Sequence, residues 1–386
     1  MTYRTHMIAG LSLLVGAVAA CSNPSDSTDA AQATDEKPTL TIYSARHYDS
    51  DQVLYDMFEE QAGVTLDVRE ANANQLIETM KAEGDSSPAD LVITSDAGAL
   101  WRFKDAGLTQ SLISDDLNTK VPANFREDDG HWYGVARRMR GIAYDPARWT
   151  SEDLATWDTL TEADKAGEIC VRSSSNIYNL SLMGELIHRY GADQAGAWAS
   201  AIVDNMARDP QGGDTDQIRA IAAGQCSIAI VNHYYWVRLG ASETEADRQV
   251  AADTRFLLPE FSAGSGSHVN ITGAAVAATA DDPALAEAFI AFLLTENGQT
   301  YLTMETKELP LLNSSPLPDG AEKVPGFLAS DTNLDIYGEN QAEAQRLFDA
   351  HRDGFSFVLT GLKAPLPYGG FGGFFKHTAW LSLQDH

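Results

Sequence analysis

The sequence predicts an α/β protein of two blocks, each built around a mostly parallel sheet. Three observations predict it. Strand-like and helix-like segments alternate through the first part of the body, which is the pattern of βαβ units. The body from Lys37 to His386 is longer than one hydrophobic core comfortably serves, so two domains are expected. A long extended stretch, "GHWYGVARRMRGIAYDP" (130–146), separates the two blocks and reads as a crossover between them.

The chain opens with a secretory signal. Arg4 precedes "MIAGLSLLVGAVAA", an apolar run too short to remain as a membrane span. The run ends in "VAAC", which resembles a bacterial lipoprotein box with Cys21 as the lipidated first residue of the mature chain. Residues 21–37 are rich in Ser, Asp and Ala and lack apolar periodicity, so they read as a flexible tether. The body then begins with the strand "TLTIYSA" (39–45). The helix "DSDQVLYDMFEEQAG" (49–63) follows, with an Asp/Ser start and a Gly stop. "VTLDVRE", "NANQLIETMKAEG", "ADLVITS" and "DAGALWRFKDAG" continue as strand, helix, strand, helix. After the crossover come the strand "EICVRSS" and the helices "NLSLMGELIHRYG", "AGAWASAIVDNMA" and "TDQIRAIAAG". The strand "CSIAIVN" closes that series. "VNITGAAVAA" reads as a strand returning to the first block, and "DPALAEAFIAFLLT" as a helix. The expected limits are residues 38–139 with 273–353 for one lobe and 140–272 for the other. Residues 354–386 form an atypical tail, rich in Gly and Phe and nearly free of acid.

The formal net charge of −28 argues against nucleic acid as a partner, because phosphate backbones need Lys and Arg. It makes the surroundings attractive to cations. No later segment is long and apolar enough to be a membrane span. Besides Cys21, the chain has Cys170 and Cys226. Each lies eight residues before a tyrosine, Tyr178 and Tyr234. In an oxidising compartment they read as a disulfide, the alternative being two buried free thiols.

One pattern occurs three times: an apolar strand, a short polar run, then tyrosine. "TIYSARHY" ends at His47 and Tyr48, "EICVRSSSNIY" at Tyr178, and "SIAIVNHYY" at Tyr234 and Tyr235. In open α/β sheets ligands bind beyond the carboxyl ends of strands, and all three runs put phenols there. A helical pattern follows each, and at a strand-to-helix turn two adjacent side chains can converge as they cannot inside a strand. A phenol is neutral near pH 7, but a bound cation can hold its deprotonated form. Phenolate is a hard, anionic ligand suited to a hard, highly charged metal, ferric iron being the obvious one. Any one of these tyrosines alone would be read as a packing residue. Three similar strand ends, one doubled and one preceded by His47, point to a metal site. His233 ranks below His47 as a nitrogen ligand.

The stretches "YSARHYDSD", "RRMRGIAYDP", "CVRSSSNIYNLSL", "IAIVNHYYWVRL", "VNITGAAVA" and "ELPLL" resemble, in order and across both blocks, the ferric-iron-binding proteins of bacterial ABC importers, also called bacterial transferrins. The resemblance implies the type II periplasmic binding protein fold: two α/β lobes joined by crossing hinge strands. It implies iron coordination by Tyr178, Tyr234 and Tyr235 from one lobe and by His47 and Tyr48 from the other. A synergistic anion such as carbonate completes the shell in some branches. Here Arg46, Arg138 and Arg140 would hold it or stabilise phenolates from outside, the alternative for these arginines being hinge or surface salt bridges.

The function expected is therefore a periplasmic lipoprotein that carries Fe(III) as cargo to an ABC permease in the inner membrane. It is expected to be a monomer and not an enzyme. The rival reading is a receptor for a small organic solute, a polyamine or an organic anion. Among enzyme signatures, H-E-x-x-H, G-x-S-x-G and the phosphate loop are absent from the sequence.

Overall fold

The computed structural model describes residues 37–46 and 48–356, with side chains to residue 350. Cys21, the tether as far as residue 36, His47 and the tail beyond residue 356 lie outside the described residues.

The first strands and helices alternate as expected. They are β1 (Thr39–Ser44), α1 (Asp51–Ala62), β2 (Thr65–Glu70), α2 (Ala73–Glu83), β3 (Leu91–Thr94), α3 (Ala97–Asp105) and the short α4 (Asp115–Lys120). Their boundaries have local causes. Gly63 takes a left-handed conformation, φ 70°, and its N–H closes α1 on Glu59 O. Asn72 and Gln75 form a reciprocal cap on α2. Asp96 caps α3 by accepting from the N–H groups of Gly98 and Ala99.

The crossover is one twelve-residue strand, β4 (Tyr133–Tyr144). Beyond it lie β5 (Ile169–Cys170), α5 (Ile177–Tyr190), α6 (Ala192–Asp204), α7 (Asp214–Ala222), β6 (Ile228–Asn232), α8 (His233–Ala241), α9 (Glu245–Asp253) and β7 (Arg255–Leu257). The chain returns through β8 (Val269–Val276), α10 (Pro283–Leu293), α11 (Glu296–Met304) and β9 (Leu309–Pro310), and ends in α12 (Ile336–Glu339) and α13 (Gln341–Ser356).

The strand order is β2-β1-β3-β8-β4-β6-β5, with β7 and β9 also pairing β4. The outer pairs β1–β2, β1–β3 and β5–β6 are parallel. The connecting strands β8 and β4 run antiparallel to their neighbours, because they carry the chain back and forth between two cores. Strand β4 shows this directly. Tyr133, Val135, Ala136 and Met139 belong to one apolar cluster, with Leu40, Ile42, Leu91, Ile271, Phe289 and others. Ile142 and Tyr144 belong to another, with Trp157, Leu182, Trp198 and Ile230. Arg138 and Arg140 sit where the strand passes between them. Two residues apart, they share a face.

Helix α12 puts Ile336 and Tyr337 in the first cluster, and α13 puts Ala344 and Leu347 in the second. The start of α13 therefore packs with the second core, whereas the limits expected from the sequence place residues 273–353 with the first. Apolar spacing reveals that a helix has a buried face, not which core receives it.

Candidate metal centre

Three strand-to-helix turns bring the tyrosines together. Tyr48 follows β1, and its carbonyl accepts the Asp51 N–H at the start of α1, 2.9 Å away. Tyr178 stands in the first turn of α5, where Asn176 caps its N–H at 3.0 Å. Tyr234 and Tyr235 stand in the first turn of α8, their ring centroids 4.5 Å apart and tilted 36°.

Asn232, the residue before α8, shows how the turn is adapted. Its side chain makes no cap bond to the helix. Instead Oδ1 accepts from Arg140 at 2.9 Å and Nδ2 donates to the Tyr234 hydroxyl at 3.2 Å. Its own N–H donates to Asp214 at 2.8 Å. Local helix capping is given up for a polar network.

Burial first, then the charges of Tyr178 and Tyr235, push the Tyr234 phenol well up, against the pull of Arg138. Burial and the Tyr178 and Asp214 charges push Tyr235 up as well. Without a cation both phenols are neutral. The four tyrosines feel one another, since Tyr48 also acts on Tyr234 and Tyr235.

Around them is a frame of buried arginines. Arg46 bonds Asp51 at 2.8 Å and Glu308 at 2.9 Å, with its guanidinium 4.8 Å from the Tyr48 ring centroid. Arg138 pairs with Glu308, donates to Thr272 at 3.0 Å, and lies 5.2 Å from the Tyr234 ring and 5.8 Å from the Tyr178 ring. Arg140 meets Asp214 at 3.2 Å and Asn179 at 2.5 Å. Glu308 shows the strength of this frame. Burial works against its charge, but Arg138 and Arg46 outweigh burial and hold the carboxyl down to about 2.

The expected residues thus fall into groups. Tyr48, Tyr178, Tyr234, Tyr235, Arg46, Arg138 and Arg140 converge. Cys170 and Cys226 are joined, their Cα atoms 5.9 Å apart, and so tie the strands that lead to Tyr178 and Tyr234. His233 is excluded as a ligand by its bonds. Nδ1 accepts from Met139 N–H at 3.1 Å, so Nε2 carries the proton and donates to Lys307 O at 3.0 Å.

Several residues escaped the sequence reading. Glu308 lies in "ELPLL", where nothing in its local spacing marks it as a buried charge. Its neighbour Lys307 has φ 58°, and among the described residues it alone, apart from glycines, has a positive φ. Arg172 lies 5.4 Å from the Tyr178 ring and meets Asp214 at 3.3 Å. Arg238 lies over Tyr48, Tyr234 and Tyr235 at 5.1, 4.9 and 5.6 Å. It donates to Thr306 O and has no carboxylate partner among the described residues. "HYYWVRL" contained the available signal: Arg238 is one helical turn beyond Tyr234.

Arg138, Arg140, Tyr178, Asn232, His268 and Asn270 line a small cavity beside the phenols. The Nε atoms of Arg138 and Arg140 are buried and make no hydrogen bond to the protein. Among the described residues, no three His, Cys, Asp or Glu side chains form a metal cage. The carboxylates of Asp51, Glu308 and Asp214 are spent on arginines, and the phenols are surrounded by guanidiniums that favour phenolate.

The model for bacterial extracellular solute-binding proteins matches residues 54–329. The chain is 39% identical to iron uptake protein A2 of Synechocystis, over 82% of this chain and 91% of that one. It is 25% identical to the major ferric iron-binding protein of Neisseria meningitidis, over 72% of this chain and 82% of that one. Among solved structures, the Trichodesmium FutA (IdiA) protein in complex with iron and citrate ligands is 38% identical. It superimposes with a TM-score of 0.78, covering 81% of this chain and 99% of that one.

Proposed function

The chain belongs to the bacterial extracellular solute-binding protein family, and on that premise we propose that it captures Fe(III) in a cleft between its two lobes. It is a binding protein of the uptake type, not an enzyme. The observation that carries this reading is the convergence of four tyrosines at three strand-to-helix turns, inside a frame of arginines. Tyr48, Tyr178, Tyr234 and Tyr235 bind as phenolates, and His47 adds a nitrogen.

The energetics explain why both a cation and arginines are needed. Ionising even an ordinary phenol at pH 7 costs about 4 kcal/mol, and burial adds to that at Tyr234 and Tyr235. A trivalent ion at the centre supplies the attraction. The guanidiniums lower the same cost from outside the shell and keep the loaded site from carrying a large net negative charge. The two unpaired Nε atoms of Arg138 and Arg140 suit an oxyanion such as carbonate beside the metal. Binding therefore releases protons, and affinity falls as pH falls.

In this reading the loaded, closed form is presented to an ABC permease of the inner membrane, and Cys21 anchors the protein at the periplasmic face. Closure follows from the difference in metal affinity between open and closed forms. The test is a visible absorption titration with ferric salt delivered from a weak chelator. A saturable charge-transfer band at one iron per chain, lost in the Tyr234/Tyr235→Phe double variant, is the expected result. A colourless protein whose stability iron does not change would return the reading to an organic-solute receptor.

A further inference from the structure

Beyond the carboxyl end of β5 the second core leaves a cavity that none of the four tyrosines lines. The run from Val171 to Ser174 forms one side of it. Leu182 of α5, Trp198 and Ile202 of α6, Met206 just after α6, Ile230 of β6 and Phe348 of α13 give it an apolar wall. Its volume is about 390 Å3, the size of a small-molecule site, and such sites combine apolar walls with a few placed polar groups.

The charged residues on the wall are Arg172, Arg208 and the exposed Asp209. Two cations against one carboxylate is the reverse of the balance of the chain, whose net charge is −28. Arg208 donates from Nε to Cys170 Sγ at 3.3 Å and from Nη2 to Gln217 Oε1 at 2.9 Å, and it has no carboxylate partner among the described residues. Arg172 gives Nη1 to Asp214 at 3.3 Å, but its Nε is buried and makes no hydrogen bond to the protein. Ser174 Oγ, on the same wall, is buried and equally unpaired. Buried polar atoms in folded proteins are nearly always paired, so two such donors on one cavity wall suit an acceptor brought by a ligand.

We infer that this cavity binds a small monocarboxylic acid with an apolar body. The carboxylate accepts from Arg208, Arg172 Nε and Ser174 Oγ, and the body lies against Trp198, Ile202 and Met206. The planar donors of a guanidinium match a carboxylate. The same two arginines disfavour an organic cation, and a neutral apolar ligand would leave the donors unpaired. The site is separate from the phenols but adjoins them. Arg172 lies 5.4 Å from the Tyr178 ring, and Asn179, also on the wall, accepts from Arg140 at 2.5 Å.

The test is a calorimetric titration of metal-free, full-length protein with phenylacetate and with phenylacetamide, which keeps the shape and removes the charge. Saturable binding at one per chain is expected, the acid about tenfold tighter than the amide. Arg208→Gln should bring the two affinities together. Val203→Phe, which fills the cavity from α6, should abolish both. Should Val203→Phe lose its fold by circular dichroism, Ala207→Phe replaces it with the same expectation. Equal affinity for acid and amide in the wild type would overturn the inference in favour of a neutral ligand. Binding undiminished in the filled variant would put the acid elsewhere, in the interlobe cleft for example, and would overturn it too. So would the absence of saturable phenylacetate binding, which would leave the cavity to water. The protein is metal-free throughout, so the iron reading stands or falls separately.

Discussion

The two sides of the tyrosine cluster are built differently. Tyr234 is fully buried in the first turn of a helix, bonded to Asn232 and packed on Tyr235 and His233. Tyr48 is half-buried on the loop between β1 and α1, held mainly by the ring contacts of Arg46 and Arg238. One side is preorganised and costly to ionise without a cation. The other is a loop contribution that arrives with the opposite core. Under the proposed function that asymmetry suits a protein that must both hold and release iron, because a donor on a loop can leave first.

The largest expected effect tests the preorganised side. Replacing Tyr234 and Tyr235 together by Phe removes the two phenols that the proposed site uses as anionic donors. Removing a residue that only supports a ligand costs about 10–100-fold, so this double loss should exceed a thousandfold in iron affinity. Competition with a chelator of known affinity measures it. If Tyr48→Phe costs more than the double variant, the asymmetry is reversed.

Next is the frame that both sides share. Glu308→Gln leaves Arg46 and Arg138 without their common carboxylate, and should destabilise the metal-free protein by about 3–5 kcal/mol in urea unfolding. An effect under 1 kcal/mol would mean that the frame belongs to neither side.

Acid should act on the frame and on α3 with opposite signs. Glu308 is held down to about 2, so its contribution is present above the ordinary carboxylate range and is lost as pH falls from about 4.5 towards 2. Burial raises Asp96 from 3.8 to about 6, although Ser181, Arg138 and two backbone N–H groups pull the other way. Its charged form costs stability above pH 6, and that cost fades as pH falls from 6 to 3.8. Each effect is on the order of 3 kcal/mol. A pH series of unfolding midpoints should lose its acid limb in Glu308→Gln and its rise between pH 6 and 4 in Asp96→Asn.

The loop side should show smaller effects. Tyr48→Phe is expected to weaken iron binding by at least the roughly 100-fold upper end of a supporting residue's cost but by less than the double variant, mainly through faster dissociation, while a shifted visible band remains. Arg238→Met removes a cation from three ring faces and should cost about 1 kcal/mol, roughly fivefold in affinity. A loss as large as that of Tyr234 would make Arg238 part of the preorganised side.

Much of this centre was legible because its signals are local. A strand, a polar turn and a tyrosine are adjacent in sequence, so "SIAIVNHYY" could place both phenols at a helix start before any fold was known. The pairing of Cys170 with Cys226 followed the same logic, since two strands leading to one site lie side by side. Arg46 and Arg138 could be nominated from their motifs, but their shared carboxylate lies some 260 and 170 positions away along the chain. No periodicity links Glu308 to Arg46. Asp214 and Thr272 escaped for the same reason. His233 and His47 each stand one residue before a tyrosine in the sequence. Only packing shows that His233 has both ring nitrogens on backbone groups.

The sequence by itself determined the alternating α/β architecture, the crossover strand, and four phenols at the carboxyl ends of strands. Those features depend on residue spacing and on the chemistry of turns, which act over a few residues. The tertiary structure alone decided which charges balance which, which histidine is spent on the backbone, and which core receives α13. These depend on burial, and burial arises only when segments far apart in the chain exclude water from the same space.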